Sequence, residues 1–230
     1  MSRIAVFFIL VITPMLAMLL ALLGLETIPL NPVGWLLLLV GVVYAAGVII
    51  FYVFRRQRFW ESLLNRVPTH EEHGDRSFWF ITLGMCAAFY LSPIEYLAEY
   101  ALLPAVLPRN AWMVSIGTVF IVLGIALFVW ARRTLKESYS GHLSVKDGQP
   151  LVQSGPYSLV RHPAYAGYLL MTLGISLGYS SLAGLVSVLA LLLPGLFYRM
   201  HVEEKLLTAH FGETYREYAR RTKRLVPRVW

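Results

Sequence analysis

The sequence predicts an all-α fold, a polytopic integral membrane bundle of about six transmembrane helices followed by a C-terminal interfacial amphipathic helix. Three observations predict it. Of 230 residues, 57% are hydrophobic and 14% charged, against about 45–50% and about 25% in ordinary soluble domains. Apolar runs of roughly 20 residues, enough to cross about 30 Å of hydrocarbon as helix, recur along the whole length. With Met1 cytoplasmic and six crossings, every one of the 20 basic residues except Arg109 falls on the cytoplasmic side, as the positive-inside rule demands. Position therefore explains the net charge of +7, which does not argue for nucleic acid.

The first segment, Ile4 to Leu23, carries a mid-span Pro14 that removes a backbone donor and predicts a kink. Its apolar run exceeds the about 7–15 residues of a signal peptide and lacks a small-residue cleavage site, so it reads as a retained span. Segment two, Val33 to Phe54, ends at Arg55, Arg56 and Arg58, with Phe59 and Trp60 at headgroup level. The loop from Glu61 to Ser77 contains His70, Glu71, Glu72 and His73. A zinc-protease helix sets its two histidines four apart; here they are three apart with no third ligand, so a solvated loop is expected and no metal.

Segment three, Phe78 to about Tyr100, holds Pro93, Glu95 and Glu99 within about two turns of its outer end, where both carboxylates are expected to reach water. Segment four, Ala111 to Ala131, closes on Arg132 and Arg133. Segment five, about Tyr165 to Tyr179, is too short for a full crossing and joins segment six, Leu182 to Met200, through Ser180 and Ser181. Gly167, Gly174 and Gly178 share one face, inviting close approach of another helix. Pro194 and Gly195 predict a broken sixth helix, tolerated where it lines a polar cavity. From Glu203 onward, Leu207, Phe211, Tyr215 and Tyr218 recur at helical spacing and predict one or two amphipathic helices on the membrane surface, their basic residues toward anionic headgroups.

The chemistry concentrates in Leu151 to Tyr168, LVQSGPYSLVRHPAYAGY, where polar groups between apolar segments are costly unless used. Gly155 and Pro156 set a turn that lets backbone approach a ligand. Arg161 and His162 present cationic or switchable donors, and Tyr157, Tyr165 and Tyr168 offer faces that attract cations. Glu203 and Glu204 return to the same boundary after the hairpin. The set suits a zwitterionic, cationic cofactor. The plainer alternative makes Arg161, His162 and Pro163 a helix start and Glu203 with Glu204 a helix N-terminal charge pair.

GPYSLVRHPAYAGY, followed after the hairpin by VEEKLLTAHFGETYREYARRTKRLVP, resembles the C-terminal half of the isoprenylcysteine carboxyl methyltransferase family and the related membrane phospholipid N-methyltransferases. The likeness covers about Arg132 to Arg228. It implies an S-adenosylmethionine pocket at the cytoplasmic ends of the last two spans. Gly155, Tyr157, Arg161, His162, Pro163, Tyr165 and Gly167 match the family's first motif and Glu203 with Glu204 its acidic pair, all cofactor-binding by that resemblance. The implied division is residues 1–110 as transmembrane scaffold and 111–230 as methyltransferase-like core.

The expected activity is methyl transfer to a lipophilic or lipidated acceptor, such as the carboxylate of a prenylated cysteine. A carboxylate needs an arginine to place it, for which Arg199, Arg216 and Arg224 are candidates; Arg199, Glu204 and Arg216 are the catalytic expectation. An amine or thiol acceptor needs a base, for which His162, His201 or a glutamate serves. Two other readings stay open. Membrane sterol reductases, which use NADPH, also resemble the His-Pro-x-Tyr stretch, and a scaffold or small carrier would place polar groups at mid-membrane in several spans.

Overall fold

A computed structural model describes residues 13–43, 46, 77–135 and 150–227. The described residues form seven helices: α1 (Thr13–Thr27), α2 (Val33–Val43), α3 (Ser77–Ala101), α4 (Ala111–Leu135), α5 (Pro163–Gly178), α6 (Leu182–Phe211) and α7 (Glu213–Arg221). A 3-10 turn, Gly155–Ser158, precedes α5. Among these residues no strand forms beyond one parallel bridge between Val160 and Lys223. The loop with His70 and His73 and the basic cluster from Arg55 to Arg66 lie outside the described residues.

Three helices are long and apolar enough to cross a membrane: α3 over Phe80–Ala101, α4 and α6. Helix α5 is short, as its sequence predicts: its 16 residues rise about 24 Å. It compensates by packing intimately on α4. A Cβ added to Gly117 would lie 2.5 Å from the Gly174 oxygen and the Gly178 nitrogen, and one on Gly167 would lie 2.8 Å from the Gly124 oxygen. The shared glycine face of α5 is therefore used as expected, with small residues of α4 completing the contact.

Helix α6 corrects one expectation. Pro194 and Gly195 do not break it. The helix widens into a π stretch, Val188–Leu192, in which the Leu193 amide bonds the Val188 carbonyl five residues back, and then continues to Phe211. The widened turn takes up the proline inside an unbroken helix, the usual role of a π bulge. Glu203 and Glu204 consequently sit in mid-helix, and the helix-N-terminal explanation of that pair fails.

The far end of the bundle, where α3 ends and α6 begins, corrects a second. Glu99 is buried and pairs with Arg109 at 2.9 Å, while Glu95 accepts from the Ser181 hydroxyl and from the Ala183 amide at 3.0 Å, capping α6. Glu95 thus supplies an acceptor to the first turn of α6, whose amides would otherwise lack one, while Glu99 is held inside the α3–α4 connection by Arg109 and the Val106 amide. Thr27 and Tyr179 share a hydrogen bond of 2.8 Å, and Asn31 donates to the Gly178 carbonyl at 2.8 Å, so the α1–α2 turn is pinned to the end of α5.

In the tail, Gly212, at φ +56°, ends α6 and starts α7, so the aromatic stripe runs over two helices, one of the two arrangements its spacing allows. Tyr215 and Tyr218 are buried, and Leu225 joins an apolar core with Ala166, Leu196 and Met200. The aromatic face of α7 is covered by protein, not lipid.

Candidate functional site

The site is assembled at the end of the bundle where α4 finishes in Arg132 and Arg133. Gly155 opens the loop at φ +59°, a conformation cheap only for glycine, and a Cβ there would come within 2.9 Å of the Thr134 hydroxyl on α4. Pro156 then sets the 3-10 turn, and the chain runs to His162, which caps α5 ahead of Pro163 in the first turn. A first-turn proline sacrifices no hydrogen bond. The helix start anticipated for Arg161, His162 and Pro163 is thus real, and it carries the polar cluster as well.

The C-terminal tail lies against this loop as a short extended segment. The Arg161 amide donates to the Lys223 carbonyl at 2.7 Å and the His162 amide to the Arg224 carbonyl at 3.0 Å. Tyr218 donates to the Tyr157 carbonyl at 2.7 Å; burial pushes its phenol up to about 12, so it stays a donor. Tyr157 is itself buried and serves as the seat for α7.

At the centre stands Glu204. Its Oε1 accepts from Arg161 Nε at 2.9 Å and lies 3.2 Å from His162 Nε2, and its Oε2 accepts from Arg224 Nη2 at 2.8 Å. The Arg161 guanidinium also donates to the carbonyls of Ala219, at 2.8 Å, and Thr222. The loop before α5, helix α6 and the tail therefore meet on one carboxylate. Its hydrogen bonds raise the pKa of Arg224 against the opposing effect of burial, which fixes that charge in place.

Glu203 has a different environment. Its side chain is 34% exposed, against 14% for Glu204. Tyr165 donates to Glu203 Oε2 at 2.7 Å and accepts from Arg199 Nε at 2.9 Å. His162 Nδ1 lies 3.8 Å from the same Oε2, and the His162 ring stacks on Tyr165 with centroids 5.5 Å apart. Tyr168 continues the aromatic series toward Phe128 of α4, at 6.4 Å and 5.0 Å. An arginine, a phenol and a carboxylate in sequence, beside three aromatic rings, can hold an anion at one end and a cation at the other.

Gly167 belongs to the α4–α5 contact described above. Arg216 is exposed and pairs with Glu213 at 3.2 Å, apart from the Arg199 row. It lines an open groove of about 420 Å3 with His201, Glu204, Lys205, Thr208 and Ala209. The sequence reading missed the pairing of residues 222–224 with the loop. Three extended residues after a helix leave no periodicity to detect; the Phe-Gly-x-x-Tyr-x-x-Tyr spacing was the available signal that the tail folds back.

The chain is similar to several known proteins. The family model for phospholipid methyltransferases matches residues 112–214. Protein-S-isoprenylcysteine O-methyltransferase A of Arabidopsis thaliana is 30% identical over 151 residues, covering 65% of this chain and 76% of the relative. The B form from the same plant is 29% identical over 144 residues, covering 62% and 73%. Among solved structures, a eukaryotic intramembrane Ras methyltransferase superposes with a TM-score of 0.57 at 20% identity, over 94% of this chain and 74% of that one. That likeness carries the fold.

Proposed function

Because this chain belongs to the isoprenylcysteine carboxyl methyltransferase family, we propose that it methylates the carboxylate of a prenylated cysteine, or a close lipophilic analogue, with S-adenosylmethionine as donor. The supporting observation is the row Arg199, Tyr165 and Glu203 at the basic end of α5 and α6. A carboxylate acceptor is already ionised at neutral pH and needs a cation to place it, not a base to deprotonate it. Arg199 supplies that cation in a fixed orientation. His162, the imidazole at the centre of the cluster, is buried with its two nitrogens turned to Glu204 and Glu203, which leaves it ill placed to take a proton from an amine or thiol.

The donor set fits the cofactor. S-adenosylmethionine brings a sulfonium methyl group, a zwitterionic amino acid and a ribose diol. Tyr165 and Tyr168 offer π faces for a cation, Glu203 is a carboxylate open enough to accept from an ammonium or a hydroxyl, and the glycine-opened turn at Gly155 brings backbone close. Arg161 and Glu204 hold these elements together as positioning residues. Arg199 orients the acceptor, so alignment carries the acceleration. The reaction face is cytoplasmic by the distribution of basic residues, and the acceptor's lipid tail lies in the bilayer.

The test is methyl-ester formation by the purified protein in lipid vesicles, with S-adenosylmethionine and an S-farnesylated cysteine whose amine is acetylated. Ester formation that disappears when the acceptor carboxylate is amidated supports the proposal. Methylation of a phosphatidylethanolamine amine in place of the prenylcysteine would overturn it in favour of the phospholipid branch, and reduction of a sterol by NADPH would remove it from methyl transfer altogether.

A further inference from the structure

Tyr215 is 2% exposed, and its hydroxyl is buried with no hydrogen-bond partner among the described residues. A buried hydroxyl without a partner loses its hydration and gains nothing, so phenylalanine would serve packing better. The same interface satisfies the neighbouring phenol: Tyr218, three residues on and with its ring centroid 5.9 Å away, bonds the Tyr157 carbonyl. The obvious protein partners are otherwise engaged. Arg161 serves Glu204 and two carbonyls, and both oxygens of Glu204 are taken by cations.

Tyr215 lies within electrostatic reach of Glu204, Arg161 and Glu203, and burial foremost, then the negative charge of Glu204, raises its pKa. It is therefore a proton donor. A donor in the same cluster of charges as the accessible carboxylate of Glu203 matches a group that both accepts and donates. A second carboxylate would meet the charge of Glu203, and an ammonium would leave the phenol proton unused. A hydroxyl satisfies both.

We propose that the Tyr215 hydroxyl is a cofactor-binding group that donates to a ribose hydroxyl of S-adenosylmethionine, with Glu203 accepting that hydroxyl's proton. The assignment rests on the cofactor reading above and adds a residue to it. Tyr215→Phe removes one oxygen and leaves the ring.

The experiment measures the melting temperature of the ligand-free protein in detergent and the equilibrium Kd for S-adenosylmethionine, in wild type and Tyr215→Phe. The expected result is a ligand-free melting temperature equal to or above wild type, with Kd weakened about tenfold, as for loss of one buried hydrogen bond. Against deoxyribose analogues lacking the contacted hydroxyl, the two proteins should bind alike. A Kd within twofold of wild type overturns the proposal, as does a penalty that persists against both deoxyribose analogues. A lowered ligand-free melting temperature would also overturn it, because the hydroxyl would then be held within the protein. Failure of the wild type to bind S-adenosylmethionine at all removes the cofactor reading itself and this proposal with it.

Discussion

Arg224 grips Glu204 through two nitrogens, Nε at 3.1 Å and Nη2 at 2.8 Å from the same Oε2, and so ties the end of the chain to the middle of α6. Arg161 and His162, on the other oxygen, come from the loop before α5. One carboxylate thus sets the relative position of loop, span and tail, whereas Glu203, a single residue earlier on α6, turns toward Tyr165.

This division of labour separates two substitutions that look equivalent in sequence. Glu204→Ala strands three partly buried cationic or polar partners and should destabilise the protein by about 3–5 kcal/mol, the cost of removing one member of a buried pair. Glu203→Ala removes a more exposed group and should lower the ligand-free melting temperature far less while weakening S-adenosylmethionine binding. Thermal unfolding in detergent, with and without the cofactor, distinguishes them; equal losses of ligand-free stability would refute the division.

The α4–α5 contact gives a prediction of opposite character, independent of any ligand. A Cβ at Gly117 meets backbone atoms of both Gly174 and Gly178 at 2.5 Å, and backbone cannot rotate aside as a side chain can. Gly117→Ala should therefore separate the two helices and cost at least the about 1–3 kcal/mol typical of overpacking, seen as a lower melting temperature. An unchanged melting temperature would mean that the helices pack less closely than described here.

What the sequence revealed follows from what each feature requires. The three long apolar helices α3, α4 and α6, the short α5 and its glycine face were legible because they depend on composition and spacing alone. Gly155, His162 and the acidic pair were legible as a group because costly polar residues clustered near one boundary. The sequence could not distinguish Glu203 from Glu204: adjacent residues on a helix point about 100° apart, and which of them meets Arg224 depends on a tail folding back from 20 residues away. Glu95 and Glu99 were misjudged for a related reason. Their depth suggested access to water, but Ser181 from the distant α5–α6 turn and Arg109 from the connection after α3 come to satisfy them. Pro194 was read as a break because a proline does not announce the π turn that accommodates it.

Arg199 should prove irreplaceable by another cation. Its Nε donates to Tyr165 at 2.9 Å, a bond that fixes the plane of the guanidinium, and lysine offers a point charge with no such fork. Arg199→Lys is expected to lower kcat/KM for the prenylated acceptor about 10- to 100-fold, the range for losing a hydrogen bond to a charged group, with the Kd for S-adenosylmethionine little changed. Tyr165→Phe should reproduce part of the loss by removing that bond to the guanidinium. A lysine variant with wild-type turnover would show that Arg199 acts only as a bulk charge.

The ion pair at the other end of the bundle supplies the complementary case, a charge that matters for folding and not for the reaction. Glu99 is nearly sealed, with 3% of its side chain exposed, and Arg109 is 23% exposed. Arg109 also donates to the Tyr96 carbonyl at 3.0 Å and lies 4.2 Å above the Tyr96 ring, so it anchors the α3–α4 connection by charge, hydrogen bond and π face together. Arg109→Leu removes all three and leaves a buried carboxylate whose remaining described contact is the Val106 amide at 3.1 Å. The expected cost is about 3–5 kcal/mol, while S-adenosylmethionine affinity, measured below the lowered melting temperature, stays at the wild-type value because the two ends share no side-chain contact. Replacing both partners, Glu99→Leu with Arg109→Leu, should recover much of the stability, since an apolar pair avoids the stranded charge. A double variant as unstable as the single one would show that the Tyr96 contacts, rather than the ion pair, hold this end together.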